Sequence, residues 1–134
     1  MPGKTPPAPA PSPSRRKRGS LAHEAGLQAE TLAADFLIQQ GYTLLARRFR
    51  TPHGEIDLLM DNGDCLLAVE VKQRSTLADA RYALSHRQGE RLLRAFSFII
   101  ETRPDWQRPD NRLDVFVIDR AGSIEQIENA LQLW

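Results

Sequence analysis

The chain has 134 residues, 41% hydrophobic and 26% charged, with a net charge of +1, a composition that fits one globular domain. No apolar run approaches the roughly 18 residues of a membrane helix, and the basic N-terminus leads into no apolar segment of the kind a secretory signal carries. The single cysteine, Cys65, excludes an intramolecular disulfide, and one cysteine with three scattered histidines argues against a structural zinc site; a reducing cytoplasm is the expected location.

Residues 1–20 hold Lys4, Arg15, Arg16, Lys17 and Arg18 and no acid, so the rest of the chain is net acidic. Six of the nine prolines also fall there, which predicts a disordered basic tail over 1–20 and a folded domain over 21–134. Such a tail is either a solubilising leader or a weak nucleic-acid tether. Beyond it the only lysine among twelve arginines is Lys72.

The first helix is expected from an N-cap at Ser20 to about Gln40, with Ala29, Leu32, Ala33, Phe36 and Leu37 inward and Gly41 as C-cap. A strand follows from Tyr42 to about Arg50, then Pro52 and Gly54 break the chain. Residues 55–60 and 65–73 read as a hairpin around Asn62-Gly63. Ser85 and Gln88 form a capping box for a second helix, whose apolar stripe is Leu92, Leu93, Phe96, Ile99 and Ile100. Arg87, Arg91 and Arg94 lie on another face, and Pro104 ends the helix. Residues 113–118 alternate as a largely buried strand, and 124–128 form a short last one. The order αβββαβ, with that extra strand, predicts an α/β domain whose helices cover a central sheet.

The hairpin carries the chemistry. With a two-residue loop at Asn62-Gly63, Glu55 opposes Glu70, Asp57 opposes Ala68, and Glu55, Asp57, Glu70 and Lys72 share one face. Asp57 and Glu70 are then diagonal neighbours, about 7–8 Å apart between Cα atoms. Carboxylates crowded in this way repel unless a cation joins them, and oxygen ligands suit Mg²⁺ or Mn²⁺. Such an ion polarises a phosphate and helps deprotonate water. Lys72 is placed to orient that water, and Glu30 lies at the edge of the first helix's apolar stripe, facing the sheet boundary. An isolated Glu-x-Lys is ordinarily a solvated pair; the preceding Asp57, the hairpin and the lone lysine set this one apart. Glu55 is expected to serve the strand entrance rather than a metal, His53 to be a loop residue, and Trp106 and Trp134 to pack rather than stack on bases. Arg87 beside such a site is a candidate phosphate contact.

Gly26-x-x-x-Glu30, Gly41-Tyr42, Gly54-Glu55-Ile56-Asp57, Glu70-Val71-Lys72-x-Arg74 and Arg112-Leu113-Asp114-Val115 resemble the bacterial YraN family, related to Holliday-junction resolvases. The match spans about residues 22–134. The resemblance implies a restriction-endonuclease-like PD-(D/E)xK core, a mixed sheet flanked by helices. It implies Asp57, Glu70 and the Val71 backbone carbonyl as metal ligands, Lys72 as catalytic lysine, and Glu30 as the acidic partner from the helix. Arg48, Arg50, Arg74, Arg87 and Arg91 are the expected nucleic-acid contacts. The chain departs from the family where Arg48 stands in place of the usual Asn, and where Arg87-Gln88 replaces Lys-Gln.

The function expected is a Mg²⁺- or Mn²⁺-dependent endonuclease acting on DNA, branched or single-stranded, in recombination or repair. It would work as a homodimer, with recombination-protein partners and no membrane association. The alternative is a non-catalytic nucleic-acid-binding adaptor on the same fold.

Overall fold

A computed structural model describes the backbone of residues 13–75 and 86–130, with side chains from Glu24 onward. Helix α1 runs Pro13–Gln39, followed by β1 (Thr43–Thr51), β2 (Gly54–Asp61) and β3 (Cys65–Gln73). Helix α2 (His86–Thr102), a 3-10 turn (Pro104–Trp106), β4 (Asp110–Ile118) and β5 (Ile124–Ile127) complete the order. Among the described residues no helix is long and apolar enough to cross a membrane.

Helix α1 starts seven residues before the N-cap expected at Ser20. A proline suits the first helical position, where its missing N–H is not needed, and Arg and Lys sustain a helix well. Residues 13–20 are therefore helical rather than tail; residues 1–12 lie outside the described residues, as do Ser85 of the expected capping box and Trp134. The helix ends as expected at Gly41, with φ +99°. Gly41 N–H donates to the Ile38 carbonyl at 3.0 Å and Tyr42 N–H to the Leu37 carbonyl at 3.1 Å, the paired bonds of a Schellman cap.

The five strands lie in sequence order, β1-β2-β3-β4-β5. Only β3 and β4 are parallel, with α2 in their crossover; the other pairs are antiparallel. Ala29, Ala33, Ala34 and Leu37 of α1 pack on Leu58, Met60, Leu67, Val69, Phe116 and Ile118. Leu92, Ala95, Phe96 and Ile99 of α2 cover the other face, on Ile56, Leu59, Leu66, Ala68, Leu113, Val115 and Val117. The central strands are thus apolar on both faces, as an α/β sheet requires. The helix face differs from expectation at Leu32, which is 41% exposed while Ala34 is buried. The three small alanines bring α1 close to the sheet, and that carries Glu30 toward the ends of β2 and β3.

The hairpin register differs from the expected one by two residues. Asp61 pairs with Leu66 and Leu59 with Ala68, and Asn62 N–H donates to the Cys65 carbonyl at 3.3 Å, so the turn is centred on Gly63-Asp64 rather than on Asn62-Gly63. Asn62 Oδ1 accepts from Asp64 N–H at 3.0 Å and Cys65 N–H at 2.8 Å, and Asp61 Oδ1 accepts from Gly63 N–H at 2.8 Å. These side-chain bonds stabilise the displaced turn. An even shift leaves each paired residue on its face, and Asp57 and Glu70 come just past the last pair, Leu58 and Val69.

Candidate active site

The pairing of β2 with β3 stops at Leu58 and Val69. Beyond that point the strands separate, and the gap is spanned by a side chain: Asp57 Oδ2 accepts a 2.8 Å hydrogen bond from Val71 N–H. Strand β2 also loses its alternation here, because Ile56 and Leu58, two residues apart, are buried on opposite faces of the sheet. On β1, Arg48 lies between the Arg47–Leu58 and Phe49–Ile56 pairs and has φ +50°. An irregularity of this kind re-aims side chains. It explains why Glu55 does not join the other acids. Glu55 is 39% exposed, with Arg50 Nε 3.5 Å from its carboxylate, and it lines a separate small cavity.

Asp57, Glu70, Val71, Lys72 and Glu30 do come together, around a cavity of about 390 Å³ also bordered by Ala25, Gly26, Ala29, Gln73 and Arg74. Lys72 Nζ lies 3.1 Å from Glu70 Oε2, both side chains 13% exposed. Burial pushes the Asp57 carboxyl up to about 8, reinforced by the charge of Glu70 and a hydrogen bond with it; the Val71 N–H acts in the opposite sense. Asp57 thus faces a like group, and the Lys72 ammonium stands on the far side of that pair, against Glu70.

Glu30 reaches the cavity but is already engaged. Its carboxylate accepts from Arg48 Nε at 3.1 and 3.2 Å, with Arg48 Nη2 at 3.0 Å and Arg47 Nη2 at 3.5 Å. Glu30 is only 5% exposed, so these arginines supply its countercharge. Arg48, expected at nucleic acid, is thereby committed within the protein. Its backbone is left-handed, φ +50°, a conformation that the family's usual Asn adopts more readily than Arg. Among the described residues no three His, Cys, Asp or Glu side chains gather closely enough to hold a metal by themselves. Asp57 and Glu70 are two carboxylates, and one or two are what a Mg²⁺ site commonly takes from protein, the remaining positions being water and phosphate.

The other expected contacts are dispersed. Arg74 borders the cavity. Arg50, Arg87 and Arg91 are exposed, and the stem of Arg91 lies over Gly54, where an added Cβ would come within 2.9 Å of Arg91 Cδ. With φ +136°, Gly54 is the residue both the backbone and the contact demand. Trp106 packs edge-on against Phe49, centroids 5.2 Å apart, and beneath the Arg103 guanidinium at 3.6 Å, as the packing expectation has it. His53 stands edge-on to Phe98 at 5.9 Å.

Two residues have roles that sequence reasoning did not assign. Arg47 reaches the Leu27 carbonyl at 3.4 Å and Thr31 Oγ1 at 3.3 Å as well as Glu30, tying β1 to α1. Asp114 is fully buried and accepts from Arg112 Nε at 2.9 Å and Nη2 at 3.0 Å, from Gln126 Nε2 at 2.7 Å and from Asn129 N–H at 2.9 Å. A lone acid inside the apolar run Leu113-Asp114-Val115-Phe116 was the signal available for it.

The sheet order, the two covering helices and the acids at the parting of β2 and β3 define an α/β protein with a restriction-endonuclease-like core. Uncharacterised protein family UPF0102 matches over residues 29–118. A UPF0102 protein of Granulibacter bethesdensis is 42% identical over 116 residues, covering 87% of this chain and 73% of the relative. One from Rhodopseudomonas palustris is 43% identical over 115 residues, 86% and 85% of the two chains. One from Azorhizobium caulinodans is 38% identical over 127 residues, 95% and 96%. The chain belongs to this family, which is the YraN family that its motifs resemble.

Proposed function

We propose that this protein is a divalent-metal-dependent nuclease that hydrolyses phosphodiester bonds in DNA. The observation that carries the reading is the Asp57–Glu70 pair, two adjacent carboxyls held at the strand parting with Lys72 beside them. Asp57, Glu70 and the Val71 carbonyl would hold Mg²⁺ or Mn²⁺, in place of the proton that Asp57 otherwise retains. When bound, the ion supplies charge to polarise the phosphate and to acidify a water. Asp57 is fixed on one oxygen by Val71 N–H at 2.8 Å, which holds its carboxyl at the strand parting. Lys72, 3.1 Å from Glu70, orients the attacking water and offsets the charge that grows on the phosphate. The water oxygen bonds to phosphorus, one P–O ester bond breaks, and the leaving oxygen takes up a proton. Glu30 serves as a positioning group: through Arg48 it holds β1 against α1 at the rim of the cavity.

The substrate class follows from the absence of a dedicated base-reading element among the described residues. Selectivity would rest on backbone shape, as in branched or single-stranded DNA of recombination and repair, with affinity supplied by arginines. A two-fold dimer would suit a two-fold junction, and recombination proteins in the cytoplasm are its natural partners. A second reading, a nucleic-acid-binding adaptor that does not cut, is favoured by one observation: both oxygens of Glu30 are taken by Arg48.

Incubation with labelled single-stranded, duplex, flap and four-way DNA, and with RNA, separates the two readings. Cutting is expected with Mg²⁺ or Mn²⁺ and not in EDTA, and Lys72→Ala or Asp57→Asn should slow it by about 10²–10⁴-fold, the range of a lost proton-transfer or positioning group. Cutting that persists in EDTA or in both variants would sink the site. Binding without cutting in any metal would establish the adaptor.

A further inference from the structure

Arg120 lies in the turn between β4 and β5, outside every motif considered so far. A cavity of about 340 Å³ is lined by Ala25, Gln73, Arg74, Ser75 and Arg120. It shares Ala25, Gln73 and Arg74 with the carboxylate cavity, so the two are one groove. Its chemistry changes along its length. Asp57 and Glu70 mark one part, whereas beyond Gln73 no carboxylate lines it among the described residues.

Among the described residues the two arginines there are held by neutral groups. Arg74 N–H donates to the Ile118 carbonyl at 3.1 Å and its Nη1 to the Gln73 carbonyl at 2.5 Å. Arg120 Nη2 donates to Ser75 Oγ at 3.2 Å. Neither forms an ion pair with a carboxylate of the described residues. A guanidinium has five donors in a fixed fork that matches phosphate oxygens, and most of the Arg120 fork remains for a ligand. The groove is therefore acidic at Asp57 and Glu70 and cationic toward Arg120.

We infer that Arg120, with Arg74 and Ser75, forms a phosphate subsite that grips the backbone of a polynucleotide one or two nucleotides from the reacting phosphate, so that the bound strand lies along the groove from the carboxylates toward Arg120. This rests on the nuclease reading and adds a direction to it. Arg74 stands two residues past Lys72, about 6.6 Å along an extended strand, against a rise of about 3.4 Å per nucleotide.

Binding of a labelled single-stranded oligonucleotide is measured by anisotropy on the Asp57→Asn protein, so that affinity is read without cutting. Adding Arg120→Gln is expected to weaken binding by about fivefold at low salt and to lower the slope of log affinity against log salt by about one, the signature of one lost phosphate contact. Arg120→Lys should keep the slope. If the parent binds and Arg120→Gln changes neither affinity nor slope, the subsite is wrong and the nuclease reading stands. A parent that binds no nucleic acid removes both.

Discussion

Asp57 and Asp114 look alike in the sequence: each is one acid inside an apolar strand, Ile56-Asp57-Leu58 and Leu113-Asp114-Val115. They lie on β2 and β4, either side of β3. Asp114 sits beside Val69 and receives four hydrogen bonds, two of them from Arg112. Asp57 receives one, from Val71, and faces another carboxyl. A buried acid whose countercharge is supplied by the protein is structure. A buried acid set against a like charge leaves that countercharge to be supplied from outside, and such pairs cluster where function is.

The largest effect expected from this contrast is on stability. Asp114→Ala leaves Arg112, Gln126 and Asn129 without their acceptor and should cost on the order of 3 kcal/mol, a drop in Tm of roughly 10 °C. Asp57→Ala should not destabilise in that way, and equal losses would erase the distinction.

Titration gives the next test. The folded-state pKa of Asp57 is raised to about 8, above an unfolded value near 3.9. Its contribution is therefore fully present below about pH 4 and is lost as pH rises through about 8, at up to about 1.4 kcal/mol per pH unit between. In EDTA, Tm should fall across that window, and Asp57→Asn should flatten the fall. Mg²⁺ or Mn²⁺ should restore Tm most strongly at the alkaline end, with proton release measurable by calorimetry; a metal effect independent of pH would argue against an ion replacing the Asp57 proton.

Glu30 tests where the boundary runs. Held by Arg48, it belongs with Asp114, so Glu30→Gln should cost about 1 kcal/mol and slow cleavage by less than about tenfold, the lower end for an outer-shell partner. A loss as deep as that of Asp57→Asn would make Glu30 a ligand. The smallest effects belong to α2: Arg91→Ala, bordering Glu70, should weaken oligonucleotide binding by about fivefold and Arg87→Ala by about twofold, both fading as salt rises.

Much of this was legible in the chain. The helical spacing of Ala29, Ala33 and Leu37, the Gly41 cap and the period of β4 are local signals, and each element formed where they lie. Asp57, Glu70 and Lys72 border one cavity despite the wrong register, Asp57 being held across the strand gap by Val71 N–H. Misreadings occurred where local patterns compete with distant contacts. Asn62 and Asp61 moved the turn one residue on, to Gly63-Asp64, from where the Asn-Gly signal puts it. Glu55 left the shared face because β2 loses its alternation beside Arg48. The start of α1 moved because a proline that breaks a helix internally is at home in its first turn.

The sequence by itself determined which residues could do chemistry, since charge, periodicity and spacing are properties of neighbouring positions. Only the tertiary structure decided which acids were already neutralised. Arg48 reaches Glu30 across 18 positions and Asn129 reaches Asp114 across 15, separations over which no local pattern carries information. Asp57 differs from them because what comes to meet it across the strand gap is Glu70, a second carboxyl, and not an arginine.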